Sequence, residues 1–179
     1  MLHFYKNLFL IIFPLSLSLG YFRVDISPAI AQLLPDNTLG EENSVVTPNI
    51  NIKGIEGDRI DGGAKRGTNL FHSFQEFNIQ QGGQVYFSNP DGVTNILTRV
   101  TGDNTSNILG TLGVDGKADL FFINPKGIIF GSEAKLDVQG SFYGSTADSI
   151  LFNKGFEFTT SDPQAPPLLT VNVPIGLRL

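Results

Sequence analysis

The chain has 179 residues, a length that suits one domain and leaves little room for two. It is mildly acidic, with 12 Lys and Arg against 17 Asp and Glu. Its basic residues cluster no further than the pair Lys65-Arg66, which argues against a nucleic-acid partner, because phosphate binding needs grouped Lys and Arg. The chain has no cysteine, which excludes the disulfide framework of many small exported domains.

Residues 1–31 read as a signal peptide. His3 and Lys6 open it, an apolar run from Leu8 to Leu19 follows, and Ala29-Ile30-Ala31 places cleavage before Gln32. The run is shorter than the ~20 apolar residues of a spanning helix, and Pro14 interrupts it. Export by the Sec machinery and a signal peptidase is therefore expected, leaving residues 32–179 as one domain. Loss of Lys6, Arg23 and Asp25 with the leader leaves ten basic against sixteen acidic residues, a net charge of −6.

Beyond the leader, Gly, Asn, Thr, Val, Ile and Phe dominate, and these favour turns and strands. The predicted strands are Val45-Val46, Asn49 to Ile52, Val85 to Phe87, Asn95 to Val100, Asn107 to Leu112, Ala118 to Ile123, Gly127 to Phe130 and Leu136 to Val138. Leu70, Phe71, Phe74 and Phe77 fit either one helical turn or a strand with a bulge, and the spacing leaves the two open. Leu120 and Phe122 share one face, Phe121 and Ile123 the other, so this strand is buried on one side and partly covered on the other.

Two echoes follow. Phe87-Ser88-Asn89-Pro90-Asp91-Gly92-Val93 recurs as Phe122-Ile123-Asn124-Pro125-Lys126-Gly127-Ile128, and Asn95-Ile96-Leu97 as Asn107-Ile108-Leu109. Short strands, turn residues and imperfect repeats suit a stacked solenoid, in which each coil buries its apolar face against its neighbours. The two-residue Asn-Gly turns of a sandwich are missing. An all-β parallel β-helix is the expected fold. Asp162-Pro163-Gln164-Ala165-Pro166-Pro167 is a loop, residues 168–173 read as a further strand, and no polar capping segment follows. The solenoid is thus expected to lack its C-terminal coils.

Four blocks occur in order between Pro35 and about Leu151. They are Gly62-Gly63-Ala64-Lys65-Arg66-Gly67-Thr68-Asn69-Leu70-Phe71-His72-Ser73-Phe74, then Phe87-Ser88-Asn89-Pro90. Next come Asn95-Ile96-Leu97-Thr98-Arg99-Val100-Thr101-Gly102 and Leu120-Phe121-Phe122-Ile123-Asn124-Pro125-Lys126-Gly127-Ile128-Ile129-Phe130-Gly131. This stretch resembles the haemagglutination-activity, or two-partner secretion, domain at the front of filamentous-haemagglutinin-type exoproteins. The resemblance implies a right-handed parallel β-helix. It also implies recognition by an outer-membrane β-barrel transporter with periplasmic receptor domains, and folding at the cell surface or in the medium. It further implies a secretion motif on Asn89 and Pro90, and on Asn124, Pro125, Gly127 and Ile128. The family's motifs, Asn-Pro-Asn-Leu and Asn-Pro-Asn-Gly-Ile, are departed from at Asp91, Gly92 and Lys126.

The same residues have a plain alternative, since Asn-Pro pairs followed by Gly92 and Gly127 also make turns. An unfolded segment such as Gln84 to Phe87 or Leu120 to Ile123 could add to a receptor's sheet edge. Burial of Leu120, Phe122, Ile128, Phe130 and Leu136 outside the cell would then make export directional. A carbohydrate- or surface-binding adhesion module is the first alternative function, with Tyr86, Phe142 and Tyr143 as candidate exposed aromatics, although core packing is the more natural role for Phe142. A polysaccharide-active enzyme is more remote. It would need Arg99 to meet two of Asp58, Asp61, Asp115 and Asp119, and His72 is the one histidine beyond the leader. No spacing suggests a metal or another cofactor.

Overall fold

The computed structural model of the protein describes residues 32–167 and 174–179. The signal peptide expected over residues 1–31 and the strand expected over residues 168–173 lie outside the described residues. Four strands precede the regular coils: β1 (Gln32–Pro35), β2 (Ser44–Ile52), β3 (Ile55–Gly62) and β4 (Ala64–Arg66). The first coil holds β5 (Asn69–Asn78) and β6 (Gln84–Ser88). The second holds β7 (Asn95–Val100), β8 (Ser106–Ile108) and β9 (Thr111–Asp115). The third holds β10 (Asp119–Ile123), β11 (Ile128–Phe130) and β12 (Lys135–Asp137), and a fourth opens with β13 (Phe142–Ser145). Strands β14 (Ser149–Phe152), β15 (Glu157–Thr159) and β16 (Pro174–Arg178) then form a separate antiparallel sheet.

Successive coils hydrogen-bond in parallel, giving a nearly all-β solenoid of about four turns. Strands β5, β7, β10 and β13 make the first sheet, β3, β6, β9 and β12 the second, and β8 with β11 the third. A bridge between Ile79 and Ile108 extends the third sheet into the first coil. Asn69 faces Asn95, and Asn95 faces Asp119, so one coil takes roughly 25 residues. The two sequence echoes are therefore not the coil repeat. Phe87 lies in the second sheet and Phe122 in the first, while Asn95 and Asn107 lie in different sheets.

Strand β7 matches its predicted span, but the strand expected over Asn107 to Leu112 breaks into β8 and β9. The chain turns a corner at Gly110, where a Cβ would stand 2.2 Å from the Gly83 carbonyl oxygen, so only glycine fits. The ambiguous segment around Leu70 is a strand with a bulge. Leu34 pairs with Glu76 and Pro35 with Phe74, which leaves Gln75 as the extra residue. That insertion brings Phe74 and Phe77 to the same interior, producing the helix-like spacing.

Strands β5, β7 and β10 of the first sheet are covered on both faces. Inside the solenoid, Leu70, Ile96 and Leu120 stack in register, and Phe122 meets Phe77 edge-on with ring centroids 4.8 Å apart. Outside it, Phe71, Leu97 and Ile123 lie under Ile150, Phe152 and Phe158. Antiparallel β1 and β4 cover the outer edge of β5, and β2 covers that of β3. At the other end, among the described residues, β11, β12 and β13 each pair on one side only. This corrects two burial expectations. Leu120 and Phe122 are buried and Ile128 partly so, but Phe130 (41 %) and Leu136 (48 %) are exposed, because no coil pairs beyond theirs.

A few polar groups share that interior, among them His72 and its register partner Thr98. His72 is fully buried, with Ser44 Oγ 3.0 Å from Nδ1 and no partner for Nε2 among the described residues. Burial pushes its pKa down to about 3, against a smaller opposing influence of Asp61. Below about pH 6.5 the unfolded chain gains a proton that the folded chain refuses. Stability should therefore fall by up to about 1.4 kcal/mol per pH unit between roughly pH 6.5 and 5. His72→Gln should flatten that slope in urea titrations run across the same range. Phe122→Ala should cost about 3–5 kcal/mol by the same measurement, since the first sheet cannot collapse around the cavity.

Candidate functional site

The two asparagine-proline segments form corners at opposite ends of the first sheet's strands. Asn89-Pro90 follows β6 and leads into β7, whereas Asn124-Pro125 follows β10 and leads into β11. The length of a strand of about five residues, roughly 17 Å, separates the two ends. The structure does not bring them into one pocket.

Each asparagine holds its own corner and reaches a neighbouring coil. Asn89 Nδ2 donates to the Val93 carbonyl (2.9 Å), and its Oδ1 accepts from the backbone N–H groups of Lys117 (2.9 Å) and Ala118 (3.0 Å), one coil later. The fit is tight: a Cβ on Gly116 would lie 2.3 Å from Asn89 Oδ1. Pro90 is exposed, its carbonyl accepting from Val93 N at 3.1 Å, and Gly92 takes φ of +78° to close the turn.

Asn124 reaches backward. It is fully buried; its Nδ2 donates to the Asn104 carbonyl (3.1 Å) and to Ser106 Oγ (2.9 Å), and its Oδ1 accepts from Lys126 N (2.9 Å). Gly127 N donates to the Asn124 carbonyl at 3.0 Å, and the Gly127 carbonyl accepts from Ser106 N at 3.0 Å. Thr105 Oγ1 adds a bond to the Lys126 carbonyl at 2.8 Å. Pro125 is half-buried, and Ile128 packs against the interior core. The contacts of Asn104, Thr105 and Ser106 with this corner escaped the sequence reading, because nothing along the chain marks which earlier loop a corner will stack upon.

The departures from the family pattern fall where they disturb little. The Asp91 side chain is exposed, and its carbonyl accepts from Lys65 Nζ at 2.7 Å. Lys126 is also exposed and lies 3.2 Å from Asp103, itself almost wholly in solvent, a pair of small energetic consequence.

The groups considered for catalysis are scattered. Asp58 accepts from Asn49 N, Asp61 from Arg59 and Ser88, and Asp119 from Ser141 N; none of them touches Arg99. Arg99 instead contacts Ser73, Thr38, Thr159 and Gln164. Among the described residues no group of three or more His, Cys, Asp or Glu could hold a metal ion.

Of the three aromatic candidates for an adhesive face, Tyr143 is exposed (46 %), stacked on Phe121 with centroids 4.5 Å apart. Phe142 packs against the interior core. Tyr86 is buried over Gly113, its hydroxyl donating to Asp137 at 2.6 Å while Lys53 lies over its ring. Burial and then Asp137 raise the Tyr86 pKa.

Asn124→Ala should cost about 1–3 kcal/mol, since it strands buried donors and acceptors of two coils. Lys126→Asn should change stability by less than about 0.5 kcal/mol. Denaturant unfolding of both variants checks the contrast.

Comparison with known proteins agrees with this geometry. The model of the TPS secretion domain family matches residues 31–179. Over 104 residues the chain is 34% identical to the heme/hemopexin-binding protein of Haemophilus influenzae, a match covering 58% of this chain and 11% of that relative. The chain thus matches only a small part of that curated relative. No solved structure matches it. With a family match across nearly all of the described solenoid, the chain belongs to the TPS secretion domain family, the module of two-partner secretion exoproteins.

Proposed function

We propose that residues 32–179 are a non-enzymatic secretion-recognition module, exported by Sec, freed by signal peptidase before Gln32, and read by the periplasmic receptor domains of an outer-membrane β-barrel transporter. The chain is read unfolded, and it closes into the solenoid outside the cell. The observation that carries this reading is the burial of Asn124, whose side-chain amide and carbonyl are both engaged within the fold. A receptor that reads Asn124 must meet it before the corner closes. Strand pairing supports the same order. Strand β6 lies between β3 and β9, and β10 between β7 and β13, so neither has a free edge once folded. Pro90, Pro125, Gly127 and Ile128 then serve the motif in the unfolded chain and the corner geometry in the folded one.

Tyr143 stacked on Phe121 favours a second reading, in which the exported module also contacts a surface carbohydrate. The relative is named for heme and hemopexin. Here His72 is sealed inside the solenoid, so the folded surface of residues 32–179 offers no imidazole to a heme iron. Arg99 apart from the four aspartates likewise supports a non-enzymatic module.

The test is secretion of the tagged full chain from a Gram-negative host with and without the cognate transporter. Transporter-dependent appearance of the cleaved protein in the medium is expected, and Lys126→Asn should raise it. Equal appearance without the transporter, or retention in the periplasm with it, contradicts the reading.

A further inference from the structure

We infer that Arg66 and Arg99 form a two-point latch joining residues 36–42, the cap, to residues 157–167, the strap, so that cap and strap close together. Both arginines come from the first sheet's neighbourhood and both are buried, at 6 % and 0 % exposure. Each guanidinium is shared between the same two distant segments.

Arg99 projects from β7. Its Nε donates to Ser73 Oγ (2.9 Å) on β5 and its Nη2 to Thr38 Oγ1 (2.7 Å) on the cap. On the strap side, Nη1 donates to the Thr159 carbonyl (2.9 Å) and Nη2 to that of Gln164 (3.2 Å), and the guanidinium lies 4.2 Å from the Phe158 ring centroid. The balancing charge is Asp36, reached through hydroxyls. Thr38 Oγ1 donates to its Oδ1 at 2.6 Å, while Ser73 and Thr101 donate to its Oδ2, each at 2.7 Å. Burial alone would raise the Asp36 pKa, but hydrogen bonds from Thr38, Thr101 and Ser73 outweigh it and hold the carboxylate ionised.

Arg66 repeats the division. Nη1 and Nη2 grip Glu42 through both carboxylate oxygens (2.9 and 2.6 Å). Nε and Nη2 donate to the Pro166 carbonyl (3.1 and 2.9 Å), and Nε also to that of Pro167 (3.0 Å). The strap suits such a hold. Pro163, Pro166 and Pro167 have no N–H to give a sheet, so this segment attaches through its carbonyls.

If either segment leaves, both buried guanidinium groups lose acceptors, which is costly in a low-dielectric setting. The segments therefore stabilise one another reciprocally. Leu39, from the cap, also shares the apolar cluster containing Phe158, so an apolar link is the rival account.

Two measurements on the full chain separate them. In Glu42→Ala, which leaves Leu39 in place, limited proteolysis at the exposed positions Ser161, Asp162, Gln164 and Ala165 should speed up by about fivefold or more. Conversely, cutting an engineered protease site across residues 161–165 should raise hydrogen exchange at the Thr38, Gly40 and Glu42 amides by about tenfold, with β7 and β10 amides unchanged. Unchanged proteolysis in Glu42→Ala, or unchanged cap exchange after the cut, would overturn the latch.

Discussion

A single coil of this chain cannot bury its own apolar face; it needs a coil above and a coil below. The first sheet meets that need most completely, because its strands stack in register inside the solenoid and are roofed outside by β14 and β15. Everything else follows from keeping that stack intact. Corners must turn without tilting the strands, the first edge must be covered, and polar groups trapped between coils must find partners. The antiparallel strands β1, β2 and β4 supply the cover on the N-terminal side.

The corners show how polar residues serve a repetitive fold. Asn89 reaches forward to residues 117 and 118, and Asn124 reaches back to residues 104 and 106, so each asparagine joins two coils as well as ending one strand. Under the proposed function, the turn role and the recognition role of these residues belong to successive states of the same side chains. In the folded domain their amides are consumed by neighbouring coils, and a receptor would meet them before that. A domain built this way would release a recognition signal as it closes.

Much of this was legible in the sequence, and the failures have physical causes. Alternation over Leu120 to Ile123 revealed a strand covered on both faces, because both cores draw on adjacent residues of β10. The Pro-rich segment was visibly a loop, since proline cannot join a ladder. The β2–β3 hairpin was missed. Its two-residue turn is Lys53-Gly54 rather than Asn-Gly, with both residues at positive φ and Asn51 Oδ1 accepting from Gly54 N. The echoes do not mark the coil repeat, because a strand end followed by a turn recurs at every corner of a coil. Burial of Tyr86 could not be read either, since it depends on Gly113 and Asp137 from two later coils.

The most direct test of the account compares binding of the purified periplasmic receptor domains to the chain held unfolded and to the chain after folding. The account predicts measurable binding to the unfolded chain, lost as the solenoid closes and Asn124 becomes buried. Equal affinity for the folded domain would contradict it, since the motif side chains would then be read from a state in which they are already spent within the fold.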